Sequence, residues 1–123
     1  MKNIANVFKA LSDETRLKIV YLLLQQELCV CEIVDIMNES QPKISRHLAI
    51  LRNTEIALDR RDAQMIFYRI NLENKYIGIL KDALSQLLDI EVEAEILKRL
   101  EKALSYRKDG KCCPNGSYPG GCC

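Results

Sequence analysis

Glu27–Leu51, ELCVCEIVDIMNESQPKISRHLAIL, decides how this chain folds. Two thiols, Cys29 and Cys31, stand at its start. Val30, Ile33 and Met37 follow at helical spacing and predict a helix over 30–37 with one inward face. Asn38-Glu39 breaks it. Ser40 then fits an N-cap, and Pro42 is tolerated in a first turn, where a backbone donor would have no partner. Ile44, Leu48 and Leu51 make the buried stripe of this second helix. Lys43, Ser45, Arg46 and His47 are left off that stripe, open to solvent or to a groove. Two short helices around a tight break form a helix–turn–helix pattern. The thiols add a constraint. Residues two apart on a regular helix point roughly 200° from each other, so Cys29 and Cys31 can share one ion only if their backbone is extended or becomes so on binding.

Upstream, Ile4, Val7, Phe8 and Leu11 predict a short helix with one apolar face. Ser12 fits the N-cap of the next helix, about 13–26, with Asp13 and Glu14 in the turn where the helix dipole favours acids. Beyond Leu17 that helix is apolar on most sides, which predicts a central, buried position. Downstream, 56–59 and 65–70 read as two strands, with Arg60-Arg61-Asp62-Ala63-Gln64 as a basic tip between them. A long helical region follows to about Tyr106, in one helix or two. Ile77, Leu80, Leu84, Leu87 and Leu88 line one side, and Ala94, Leu97, Leu100 and Leu104 another. That apolar face exceeds what so small a core needs, and predicts a partner helix from a second copy of the chain.

The 123 residues, 48% hydrophobic, suit one domain with a modest core. The composition changes after Tyr106: RKDGKCCPNGSYPGGCC holds four of the five glycines and four of the six cysteines. The division expected is a folded domain at 1–106 and a flexible Cys-rich tail at 107–123. Net charge is only +1, but its distribution is uneven. Ser40 to Ile70 carries six bases against three acids, and Asp89 to Ala103 five acids against three bases. One basic face is the pattern of a protein that meets phosphate on one side only. The N-terminus lacks the apolar run of a signal peptide, and no run reaches membrane length. The expectation is a cytoplasmic protein without membrane contact whose thiols stay reduced, so that six cysteines point to metal or redox chemistry.

Three motifs, in order, resemble the ArsR family of metal-responsive repressors. Ala10 to Leu17 (ALSDETRL) looks like its opening signature, Glu27 to Glu32 (ELCVCE) like its metal box, and Ser40 to Leu48 (SQPKISRHL) like its recognition helix. The resemblance covers about residues 3–72. It implies a mainly α winged helix–turn–helix with a two-stranded β-hairpin wing, a homodimer through terminal helices, and a near-palindromic operator in double-stranded DNA that is released when metal binds. Three departures stand out. Thr54-Glu55 replaces a usual small-Gly pair before the wing, and Asp62-Ala63 replaces a common tip glycine. Val34 stands where arsenic repressors with this box often carry a further cysteine.

As(III) and Sb(III) favour three thiolates, as soft ions generally favour sulfur. Cys29 and Cys31 supply two, and the tail offers Cys112, Cys113, Cys122 and Cys123 for a third, from the same subunit or its mate. Zn(II), Cd(II) or Pb(II) held by four thiolates is the rival, and a metal-free thiol redox switch another. The family's other metal site, built on late-helix histidines, is disfavoured because His47 is the single histidine. The DNA contacts expected are Ser40, Gln41, Lys43, Ser45, Arg46 and His47 on the recognition helix, and Arg60, Arg61 and Gln64 on the wing. No phosphate-binding glycine loop and no base near the thiols suggest an enzyme.

Overall fold

The computed structural model describes residues 4–87 and 90–107. In chain order the elements are α1 (Ile4–Ala10), α2 (Glu14–Gln25), β1 (Leu28–Cys29), α3 (Val30–Met37), α4 (Gln41–Asn53), β2 (Ala57–Asp62), β3 (Met65–Ile70), α5 (Ile77–Leu87) and α6 (Ile90–Ser105). This is a mainly α winged helix–turn–helix. The tail beyond Arg107, with its four cysteines, lies outside the described residues.

α2 is the spine. Ile19, Val20 and Leu22 on it are fully buried, and Ile33, Ile44, Leu48 and Leu51 of α3 and α4 close over them. Asp13, rather than Ser12, caps α2 by accepting the Arg16 N–H at 3.2 Å. The Ser12 hydroxyl instead donates to the Lys9 carbonyl at 2.7 Å and closes the end of α1. α3 ends on Asn38 in the left-handed region, where asparagine costs little. Ser40 then caps α4, its Oγ accepting the Lys43 N–H, with Pro42 in the first turn as expected.

The sheet departs from the expected hairpin in two ways. Its strands are antiparallel in the order β1-β3-β2, so Leu28 and Cys29 add a short third strand against Tyr68 and Phe67. β2 also runs on to Asp62, which puts Arg60 and Arg61 inside the strand and leaves Ala63 and Gln64 as the tip. Ala63 carries a positive φ of 57°, a conformation that glycine adopts more readily.

Between α4 and β2 the chain turns through a glycine-type bend made without glycine. The Ile56 N–H donates to the Leu51 carbonyl, and the Glu55 N–H to Arg52, both at 3.0 Å. This is a Schellman closure with Glu55 at φ 63°. The side-chain amides of Asn71 and Asn74 donate to the Glu55 carbonyl and hold the bend. A left-handed non-glycine residue costs about 1–2 kcal/mol, and glycine's extra unfolded-state freedom offsets about half of that. Glu55→Gly is therefore expected to raise stability by about 0.5–1 kcal/mol, read as a higher urea midpoint at unchanged slope.

The late helices carry two faces. Leu80, Leu84, Ile96, Leu100 and Ala103 pack on the core, whereas Ala94 and Leu97, from the second apolar side, face outward. Tyr21 on α2 donates to Glu93 at 2.7 Å and Arg99 to the Ile36 carbonyl at 3.1 Å, fixing α6 against α2 and α3. Ile4 and Phe8 on the apolar face of α1 also turn outward. Phe8 is 65% exposed, and Ile79 on α5 67%.

Candidate metal centre and nucleic-acid interface

The geometric objection to Cys29 and Cys31 sharing an ion is met by a change of backbone between them. Cys29 is extended, at φ −83° and ψ 162°, as the last residue of β1 and the N-cap of α3. Cys31 lies in the first turn of that helix. The strand-to-helix corner swings both side chains to one point, and their sulfurs stand 2.6 Å apart. Both residues are buried, at 1% and 2% exposure. A soft ion arriving there would find two sulfurs converged on it. Among the described residues no group of three or more Cys, His, Asp or Glu side chains is placed to hold a metal, and Val34 is buried.

The corner is held by Glu32, a fully buried carboxylate at 0% exposure. Oε1 accepts the Cys29 N–H at 3.0 Å. The Arg107 guanidinium donates to both oxygens at 2.6 Å and, through Nη2, to the Glu27 carbonyl at 2.8 Å. Such two-pronged pairing is what allows a carboxylate to be buried. Neither residue was singled out from the sequence. Glu32 did carry a signal, since a Glu three residues after an N-cap is the usual partner of the cap's own N–H. Arg107 carried none.

The thiols also border α4 and the wing directly. A cavity of about 90 Å³ is lined by Cys29, Val30 and Cys31 on one side, by Gln41 and Ser45 of α4, and by Gln64, Met65 and Ile66 of the wing. The thiol corner, the recognition helix and the wing therefore share one small space.

The proposed contact residues are not all disposed alike. Gln41, Ser45 and Arg46 are exposed on α4, beside the capping Ser40. Lys43 is half-buried and pairs with Glu39 at 3.1 Å. His47 turns inward: its Nδ1 accepts from Arg16 Nη1 at 3.0 Å, while Arg16 Nε donates to the Ala10 carbonyl. Arginine can only donate, so the ring is held neutral with its proton on Nε2. Arg60, expected at the wing tip, instead lies on the sheet. It forks onto Glu27 at 2.8 and 2.9 Å and stacks over Phe67, 4.4 Å from the ring centre. The extra length of β2 is the reason. Arg61 and Gln64 remain exposed at the end of the wing.

Burial first, and then the cations Arg16, Lys43 and Arg46, outweigh the pull of Asp13 and hold the His47 pKa below its ordinary value of 6.5. The unfolded chain thus takes up this proton at higher pH than the folded one. The contribution of His47 to stability is complete above about pH 6.5 and is lost as pH falls toward the lowered folded value. Wild type is expected to lose stability relative to His47→Gln over that window, with a slope below about 1.4 kcal/mol per pH unit for one proton. Urea midpoints of both proteins across the window check it.

Comparison with known proteins covers most of the chain. Residues 13–57 match the family model described as bacterial regulatory protein, arsR family. The chain is 40% identical to the arsenic resistance transcriptional regulator ArsR2 of Pseudomonas putida, over 88% of this chain and 96% of that one. It is 52% identical to the arsenical resistance operon repressor of Escherichia coli over 53% of this chain and 56% of the other. With the cadmium resistance transcriptional regulatory protein CadC homolog of Staphylococcus aureus, identity is 44% over 58% of this chain and 60% of that one. Reduced HlyU from Vibrio cholerae superposes with a TM-score of 0.64 at 29% identity, covering 70% of this chain and 90% of that one. The homodimeric winged helix–turn–helix domain of Mb0332 from Mycobacterium bovis gives 0.61 at 27%, covering 70% and 82%. With the three motifs in order on a matching fold, and a relative this similar along almost its whole length, the chain belongs to the arsR family of bacterial regulatory proteins.

Proposed function

We propose that this DNA-binding regulator, a transcriptional repressor and not an enzyme by its family, controls a metalloid-resistance operon and leaves its operator when As(III) or Sb(III) binds Cys29, Cys31 and one tail thiolate. The observation that carries this reading is the convergence of two buried sulfurs in a cavity whose other walls belong to the recognition helix and the wing. An ion bound there need not send a signal across the molecule. It parts the two sulfurs and admits a tail thiolate while the Cys29 backbone stays extended, and so presses on Gln41, Ser45 and Met65 across the shared cavity. The spacing of helix and wing on the duplex then changes. Release requires only that the ion bind the altered arrangement more tightly than the DNA-bound one.

The third thiolate comes from the tail in this proposal. Arg107 lies against the thiol corner, and Cys112 follows five residues later. An extended chain of that length spans at most about 18 Å, which brings Cys112 or Cys113 of the same chain within range. Cys122 and Cys123 reach further and suit either chain of a dimer. Ile4, Phe8, Ile79 and Leu97, apolar and outward on α1, α5 and α6, are the surface on which a second copy would pack. The exposed Gln41, Ser45 and Arg46, with Arg61 and Gln64, are the proposed base and backbone contacts. Ser40, Lys43, His47 and Arg60 act mainly by holding them in place.

The same sulfurs could serve Cd(II), Pb(II) or Zn(II) through four thiolates, and the 44% identity to a cadmium resistance regulator favours keeping that reading. The 2.6 Å approach of the sulfurs likewise suits a Cys29–Cys31 redox switch. One experiment separates the three. A labelled duplex, selected by the ion-free protein from a random library, is followed by fluorescence anisotropy against As(III), Sb(III), Cd(II), Pb(II), Zn(II) and peroxide. Arsenite and antimonite are expected to release it at the lowest concentrations, and removal of the residues after Lys111 to weaken that release. Release by peroxide alone, reversed by dithiothreitol, would replace the metalloid reading.

A further inference from the structure

Glu32 and Arg107 are 75 residues apart, yet their ion pair encloses the thiol corner from both ends. Arg107 Nη2 donates to the Glu27 carbonyl just before β1, and its fork holds the Glu32 carboxylate just after Cys31. Glu32 Oε1 in turn accepts the Cys29 N–H. Everything between Glu27 and Glu32, both thiols included, is thus spanned by one guanidinium. The core does not need this pair for its packing, since Leu28, Ile33 and Ile36 are buried on their own account. A buried ion pair is generally no more stabilising than an apolar substitute, and its better use is to specify one arrangement.

We propose that Glu32 and Arg107 are positioning residues of the thiol site, a latch that keeps Cys29 extended so that both sulfurs meet a soft ion without a prior change of backbone. The inference rests on the thiol site being the ion site. The latch touches no ion. It lowers the cost of binding by holding the corner in the converged form, as groups behind a metal's own ligands commonly do. It also joins the corner to the residue that follows α6, so that the root of the Cys-rich tail is fixed beside the sulfurs.

The test uses the full chain and Cd(II), whose bonds to thiolate give an ultraviolet charge-transfer band. Removing Arg107 alone leaves a buried carboxylate unpaired and risks unfolding, so the main variant is E32Q/R107M. Its Gln can still accept the Cys29 N–H, and no charge is left behind. The expected result is a folded protein, by circular dichroism, that binds Cd(II) about 10–100-fold more weakly, the range found when supporting partners of metal ligands are removed. R107K, which keeps a cation but loses the planar fork, should fall between it and wild type, and serves in its place if E32Q/R107M does not fold. A folded variant whose Cd(II) affinity and band stay within twofold of wild type overturns the latch alone. Wild-type binding that survives Cys29→Ser overturns the thiol-site reading, and the latch with it.

Discussion

The Cys29→Ser variant is expected to stay on its operator at arsenite concentrations about two orders of magnitude above those that release wild type. Two thiolates on one short corner act as linked arms, and losing one arm of a linked pair costs roughly 10²–10⁴-fold in apparent affinity. A hydroxyl does not replace the lost arm, because soft ions select sulfur. The variant is informative because it leaves the fold little reason to change. Cys29 is the N-cap of α3, and serine is among the best N-caps. Helix loss would therefore be a poor explanation for lost induction. Anisotropy of the labelled duplex during an arsenite titration, with a thermal melt of the same sample, reads both quantities. Release at wild-type concentrations would remove Cys29 from the inducer site.

Arg107→Met alone is expected to cost about 3–5 kcal/mol of unfolding free energy, the usual penalty for stranding the partner of a buried charge. Glu32 is fully buried, and Arg107 provides two of its three hydrogen bonds described above. The paired change Glu32→Gln with Arg107→Met should recover most of that loss, since it strands no charge. Urea unfolding of the single and double variants at one protein concentration reads the difference. Equal midpoints for the two would mean that the carboxylate is not the group that suffers.

Most of the architecture was legible because it is local. The apolar stripes of α2 and α4 repeat at helical spacing, Ser40 and Pro42 announce a helix start, and Asn38 a helix end. Ser12 and Asp13 are both good caps at adjacent positions. Only the Lys9 carbonyl, which takes the Ser12 hydroxyl, decides between them. β1 escaped notice because two residues carry no alternation, and they become a strand only through Tyr68 and Phe67. The outward turn of Ile4 and Phe8 was hidden for a related reason. An apolar residue reads alike whether it meets its own core or a second copy.

The backbone of the candidate site was legible and its supports less so. Sulfur at positions 29 and 31 pointed to soft ions, and the spacing itself required the extended backbone found at Cys29. The roles of Arg60 and Arg107 depend on partners 33 and 75 residues away. A basic residue in a supposed turn, and another at the head of a supposed tail, gave no local hint of either. His47 is a similar case, since its place on the exposed side of a helix pattern said nothing of Arg16.

The central claim is that ion and operator oppose each other through the cavity they share. Calorimetric titration of arsenite into the protein, alone and then saturated with operator duplex, measures that opposition directly. Linkage requires the weakening to be the same in both directions, typically about 5–150-fold. The account predicts that arsenite binds the operator complex more weakly by a factor in that range. Equal arsenite affinity with and without the duplex would contradict it.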